Sequence, residues 1–340
     1  MQKLTPYTSQ DLTCDLSPFQ LEGVLRIGVA CSGGADSLAL TLLLNNWAKT
    51  HGKEIIAFHV DHKLRPTSTW EATHLSEWLK THNVTHEVLT WNHSGVKTRI
   101  QERAREARYQ LLNAAARKHS IQYMLLAHHL KDQEETFWMR LSKGSGTDGL
   151  SAMKPLAQKE GITYLRPLLN VSPERLRLYL NSIQQPWIQD PSNENPKYLR
   201  IRLRSLLEEE GYSLDKTLSK LQEDSDYIHS EVEKWMFENL IQNEDSIQVP
   251  YCKLKLLHTA LGKRVLQKLI QKVSPSPYPK RNDALSQLWS KLQDPKFQRG
   301  TLGNCVIKKS QGHLTLTKEV RRAPKDNIIT NTKTSSLLKK

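Results

Sequence analysis

The stretch Cys31-Ser32-Gly33-Gly34-Ala35-Asp36-Ser37 constrains this chain more than any other, because it follows the apolar run Val24 to Ala30 and leads into Leu38 to Leu44. A strand that turns through glycines into a helix gathers unpaired backbone N–H groups at the positive end of the helix dipole, which makes an anion cradle. Gly33 and Gly34 let the backbone approach the anion, while Ser32 and Ser37 add hydroxyl donors. Asp36 supplies a carboxylate that phosphate would repel unless Mg2+ bridged the two, so the pattern predicts a magnesium nucleotide. No Gly-Lys-Ser or Gly-Lys-Thr occurs at the turn, which excludes the Walker A form of phosphate loop.

A nucleotide alone does not require a chain as basic as this one. Its 340 residues carry a formal charge of +14, which biases the surface towards a polyanion, and tRNA suits a cytosolic ATP enzyme. The cysteines, Cys14, Cys31, Cys252 and Cys305, are too sparse for a disulfide framework and form no CxxC pair, which points to a reducing cytoplasm. The N-terminus lacks a basic and apolar signal sequence. The apolar run Leu38 to Leu44 is far below the roughly 20 residues that span a bilayer, so no membrane partner is expected.

Short β-rich runs at Val24 to Ala30, Glu54 to Val60, His86 to Thr90 and Tyr123 to Ala127 alternate with helical patterns near 36 to 50, 68 to 82, 98 to 119 and 131 to 142. This alternation predicts an α/β fold, a doubly wound and mostly parallel sheet with right-handed crossovers, which binds ligands at the carboxyl ends of its strands. The glycine loop, Asp61-His62 and His128-His129 all follow strands on that edge. From about Leu214 the texture changes to long amphipathic helices, one of them carrying Lys263, Arg264, Lys268 and Lys272. The expected organisation is an extension at 1–20, a catalytic nucleotide domain at 21–210, and a smaller, mainly helical domain at 211–323. That domain would close with a hairpin around Gln311-Gly312, before a basic disordered tail at 324–340.

Four further clusters could carry chemistry or contact phosphate. Asp61-His62-Lys63-Leu64-Arg65 would face the nucleotide edge of the sheet. Arg105 and Arg108 share one side of the helix predicted over 98–119 and could reach one anion. His128, Asp132 and Glu135, spaced by four and three residues, would stack on one side of a helix entered from a strand. Two carboxylates and an imidazole aimed at one point suit a magnesium site, a cationic substrate or proton removal from an amine. Tyr198 to Arg204 adds three arginines at alternate positions, a pattern suited to phosphate or RNA contact.

The phosphate loop resembles that of the PP-loop ATP pyrophosphatases, and the ordered set of motifs over about 25–205 resembles the tRNA(Ile)-lysidine synthetases. The matching pieces are SGGADS at 32 to 37, His59-Val60-Asp61-His62 with Leu64-Arg65, Ala104-Arg105 with Arg108-Tyr109, and the histidine-acid block ending at Glu135-Thr136. Gly144-Ser145-Gly146, Arg166-Pro167-Leu168 and Asp190-Pro191-Ser192-Asn193 continue the order. Lys131 stands where the family often has aspartate, Ile201 interrupts its usual Arg-Asn-Arg, and the C-terminal third matches only loosely. The resemblance implies ATP-dependent ligation of free L-lysine to carbon 2 of the wobble cytidine in the CAU anticodon of tRNA(Ile), through an adenylated cytidine. It also implies roles. Ser32, Gly33, Gly34, Ala35, Asp36 and Ser37, with Asp61 and His62, would bind ATP; Asp36 and Asp132 would lie near Mg2+; His128, Arg108 and Glu135 would complete the catalytic shell. The family's tendency to dimerise makes a homodimer an expectation. The alternatives are a 2-thiocytidine type of PP-loop tRNA enzyme, which usually displays CxxC pairs, or a non-catalytic RNA-binding protein with an ATP fold.

Overall fold

The computed structural model describes residues 4–64, 66–93, 99–189, 214–276 and 282–319. The chain divides into two compact units, Met1–Ser225 and Asp226–Lys340, with the boundary inside helix α8 (Asp215–Asn239). Among the described residues, no helix is long and apolar enough to cross a membrane.

In the first unit, β1 (Arg26–Ala30), β2 (Glu54–Asp61), β3 (His86–Thr90) and β4 (Tyr123–Leu125) are parallel and ordered β3-β2-β1-β4. The parallel β6 (Ile162–Leu165) and its antiparallel hairpin partner β5 (Leu156–Lys159) extend the sheet beyond β4. Helices α2 (Ala35–Thr50), α3 (Ser68–Thr81), α4 (Ile100–Lys118) and α5 (Leu130–Leu141) fall where the helical patterns predict them, and the short α6 (Thr147–Leu150) follows. The expected mostly parallel α/β sheet is therefore present.

Strand alternation sorts side chains to two faces. Ile55 and Ala57 of β2 join a core with α2, α3 and α7 (Pro173–Ser182), whereas Ile56 and Phe58 join another with Leu112, Ala115 and Ala116 of α4. α2 is buried almost all round, consistent with its Leu38 to Leu44 run between the sheet and its helical neighbours. The first 20 residues contribute to the same core: α1 (Ser9–Leu16), started by a Thr8–Asp11 capping box, buries Leu12 and Leu16. Between β1 and β4 the strand order reverses, so the loops at 31–34 and 126–129 flank a topological switch point, where doubly wound sheets bind ligands.

The second unit corrects the expectation of a mainly helical domain. It contains a five-stranded antiparallel sheet ordered β7-β8-β11-β10-β9, in which β7 is Ile241–Gln242, β8 Ser246–Pro250, β9 Arg299–Leu302, β10 Cys305–Ser310 and β11 His313–Lys318. The expected Gln311-Gly312 turn joins β10 to β11, but two further antiparallel pairings add β8 and β9 on either side. Ile247, Val249, Ile307, Leu314 and Leu316 alternate inward against α10 (Thr259–Val273) and α11 (Asn282–Gln293). Between β8 and α10 runs the short α9 (Tyr251–Lys255). A helical reading failed here because β8 buries only two apolar side chains before Pro250, too short a run to announce a strand. The expected tail at 324–340 lies outside the described residues.

Candidate active site

Gly33 adopts φ +88°, in the region that favours glycine, and a Cβ there would come within 2.5 Å of Ile188 Cδ1. The turn is then closed by its serines: Ser32 N donates to Ser37 Oγ at 3.0 Å, and Ser37 Oγ donates to Gly34 O at 3.1 Å. Gly34 caps α2 without a side-chain hydrogen bond, so the first-turn N–H groups of a 16-residue helix remain for an anion. Ile188 N donates to Gly33 O at 2.9 Å and ties the segment before the motif at 190–193 to this loop.

Two cavities flank the loop and share Ala30, Ser32, Gly34, Arg108 and Ile188. One, of about 520 Å3, is lined by His59, Asp61, His62 and Glu71 beside the loop. Asp61 is buried there and accepts the Lys63 N–H at 2.9 Å, which stabilises the positive φ of Lys63. Burial pushes the His59 and His62 imidazoles below their ordinary value. The other, of about 600 Å3, brings Asp36 and Ser37 together with His128, His129, Lys131, Asp132 and Arg177.

α5 begins at Leu130, two residues after His128, so His128 stays outside the helix and His129 takes the N-cap position. Its backbone N–H donates to Asp132 Oδ2 at 3.0 Å. The buried His129 ring then lies between two carboxylates, with Nε2 3.4 Å from Asp36 Oδ2 and 3.6 Å from Asp132 Oδ2. Asp36 Oδ1 is buried with no hydrogen-bond partner. His128 lines the cavity beside them. Burial first, then the charges of Arg166, Arg108 and Arg105, push it down to about 3, so it is a neutral imidazole at any ordinary pH. Arg108 lines both cavities, and its own burial lowers its basicity from the ordinary value.

The structure thus brings together Ser32 to Ser37, Arg108, His128 and Asp132 in one cleft, with Asp61 and His62 on its other arm. Glu135 is not among them: it is buried on α5 and lines none of the described cavities. With His128 outside the helix, the four-and-three spacing does not set the three side chains on one helical face. Lys131, in place of the family's aspartate, pairs with Glu174 of α7 at 2.9 Å. Although burial opposes its charge, Ser172 and Lys131 hold Glu174 down at about 2. Arg65, the motif at 190–193 and the arginines of 198–204 lie outside the described residues.

The sequence patterns assign no role to His129 and do not single out Glu71, Arg177 or Ile188. His129 was visible as part of a histidine pair at a strand end, and Ile188 stood next to a motif, but Arg177 on α7 had no local signal.

A smaller cavity of about 260 Å3 opens on the far side of His128 and Asp132, lined also by Arg105, Thr136, Arg140 and Lys143. Arg140 holds its wall by donating to the carbonyls of Gly149 and Ala152, both at 2.7 Å.

Residues 10–210 match the PP-loop domain family. Over 305 residues the chain is 32% identical to the tRNA(Ile)-lysidine synthase of Wolbachia sp. subsp. Brugia malayi (strain TRS), an alignment covering 86% of this chain and 70% of the relative. The tRNA(Ile)-lysidine synthase of Hyphomonas neptunium is 32% identical over 308 residues, 88% of this chain and 83% of its own. Among solved structures, the U34-tRNA thiolase NcsA from Methanococcus maripaludis superposes with a TM-score of 0.53 at 16% identity, over 63% of this chain and 77% of that one, a likeness of fold alone. Sequence similarity that runs through both units and is anchored on the phosphate loop admits one conclusion: the chain belongs to the tRNA(Ile)-lysidine synthase family of PP-loop proteins.

Proposed function

We propose that this chain joins the ε-amine of free lysine to carbon 2 of the wobble cytidine in the CAU anticodon of tRNA(Ile), converting ATP to AMP and pyrophosphate. The observation that carries the reading is the convergence of Asp36, next to the phosphate loop, and Asp132, at the start of α5, on one imidazole nitrogen. In the first step the cytidine O2 bonds to the α-phosphorus of ATP as the bond to pyrophosphate breaks. In the second, the lysine nitrogen bonds to carbon 2, and AMP leaves with the oxygen.

The chain's own groups divide this work. The α2 N-terminus and Ser32 to Ser37 would hold the departing pyrophosphate. Arg108, common to both cavities, would face the phosphate between them. The lysine ammonium must lose a proton before it attacks, and His128, neutral and only weakly basic, is a poor acceptor; the Asp132 carboxylate is the better-placed group. The 260 Å3 cavity suits lysine, with Asp132 for the amine and Arg105 and Lys143 for the carboxylate.

Magnesium is commonly bound through one or two carboxylates plus substrate phosphates. The buried, unpartnered Asp36 Oδ1 fits that need, and Asp36 and Asp132 would hold the ion. When bound with ATP, Mg2+ would neutralise phosphate charge as pyrophosphate leaves.

The test is ATP-dependent transfer of radiolabelled lysine to a tRNA(Ile) transcript with the CAU anticodon. Asp36→Asn and Asp132→Asn are each expected to lower the rate by at least about 100-fold, the scale of losing one electrostatic stabiliser, with tRNA affinity unchanged. Lysine transfer that survives both substitutions, or is absent in the wild type, overturns the reading.

A further inference from the structure

Helix α3 repeats aromatic residues at four-residue steps. Trp70, His74 and Trp78 form one stripe, while Ala72, Leu75 and Leu79 face the core. Trp70 is 59% exposed, and its ring lies 3.9 Å from that of His74, centroid to centroid. Opposite this stripe runs Pro186-Trp187-Ile188-Gln189, and the two walls enclose a cavity of about 440 Å3. Thr67, Glu71 and Gln189 give it a polar edge.

This cavity adjoins the site already described. Glu71 and Ile188 line both it and the 520 Å3 cavity, and Trp187 also lines the 600 Å3 cavity beside the phosphate loop. Three indoles with hydrogen-bonding groups at the rim suit a flat, aromatic, amphipathic guest. An enzyme that attacks a base at carbon 2 must draw that base out of its stack, which leaves its neighbours without stacking partners. The +14 charge of the chain attracts the polyanion that carries such bases.

We infer that the cavity walled by Trp70, Trp78 and Trp187 receives an unstacked nucleobase of the tRNA anticodon loop, adjacent to the cytidine under modification. The inference rests on the proposed lysine ligation for the identity of the RNA. Its energetic basis is stacking, which tolerates any base because every base offers a π-face. Ile188 couples the pocket to the phosphate loop through its hydrogen bond to Gly33 O.

The experiment uses the full chain and a tRNA(Ile) anticodon hairpin carrying 2-aminopurine next to the wobble cytidine. Binding to the wild type is expected to change the 2-aminopurine emission by stacking. Trp70→Ala should abolish that change and raise the hairpin Kd about tenfold, within the range for loss of one stacked base, while the Kd for ATP stays within twofold. Trp70→Phe, which keeps an aromatic face, should retain most of both signals. Because Trp70 is largely exposed, its replacement leaves the core intact, and unchanged ATP affinity checks this. Unaltered emission and hairpin affinity in Trp70→Ala overturn the inference, as does a loss confined to ATP, which would make the cavity part of the nucleotide site. Lysine transfer by the wild type, measured in parallel, separates this failure from failure of the reaction itself.

Discussion

His128 shows how much of this site is decided by neighbours rather than by residue type. An imidazole that ordinarily titrates near neutrality is held at about 3 by burial and by Arg166, Arg108 and Arg105. The sign of the linkage follows. Between pH 6.5 and about 3 the unfolded chain binds a proton at His128 that the folded chain refuses, so this residue's contribution is complete above 6.5 and is lost as pH falls through that window. His128→Gln should therefore flatten the decline of stability below pH 6.5, by at most about 1.4 kcal/mol per pH unit. Urea midpoints of the wild type and the variant at neutral pH and at two acidic values measure it, and parallel curves would remove the assignment. His59 and His62, also lowered by burial, should preserve part of the slope. The sequence pointed to His128 and Asp132 because their types and their place after a strand are local facts. What the local pattern could not show is that His128 stays outside the helix while Asp132 and Glu135 share a side of it: α5 starts after His129, whose N–H donates to Asp132.

At the scale of elements, legibility followed burial. β1 and β2, and the helices α2 to α5, agree closely with their apolar patterns, the two strands because they are covered on both faces and read as apolar runs; β3, at the sheet edge with no buried residue, was marked instead by its place between two helical patterns. The antiparallel strands of the second unit are half-covered, short and punctuated by Pro250, Gly303 and Gly312, and only the β10–β11 hairpin carried enough alternation to be read. Another element-level fact was silent in the sequence: how closely α10 and α11 approach. Gly262 lies inside α10, where glycine ordinarily weakens a helix by about 1 kcal/mol relative to alanine. A Cβ there would lie only 2.0 Å from Trp289 Cη2 of α11, with ring carbons on either side at 2.5 Å. Gly262→Ala should therefore destabilise the chain by roughly 1–3 kcal/mol through overpacking, opposite in sign to the propensity gain. A shift of the urea midpoint at unchanged slope would show it, and a stabilised variant would mean that the helices can separate at little cost.

Charge belongs to the whole molecule, since 49 Lys and Arg stand against 35 Asp and Glu. Several of the acids are already committed: Glu54 to Arg26, Glu87 to Lys118 and His119, Glu160 to Arg117, Glu174 to Lys131. Pairing one to one spends cations as fast as acids and leaves the excess undiminished for phosphates. This property was plain from composition, unlike the partition of residues between units, because it needs no geometry. Its consequence is counterion release. Each tRNA phosphate neutralised by a lysine or arginine frees a bound cation, and the logarithm of affinity falls with the logarithm of salt in proportion to their number. Between about 50 and about 200 mM monovalent salt, six such contacts would cost on the order of a thousandfold, and two contacts about tenfold. The expectation is a loss of at least about tenfold in tRNA affinity over that range, measured by filter binding at fixed magnesium. Lysine KM, measured at saturating tRNA, should change far less, because the attacking amino acid carries both charges and releases no polyelectrolyte atmosphere. An affinity for tRNA indifferent to salt would show that the basic excess faces away from the RNA, and recognition would then have to rest on base contacts alone.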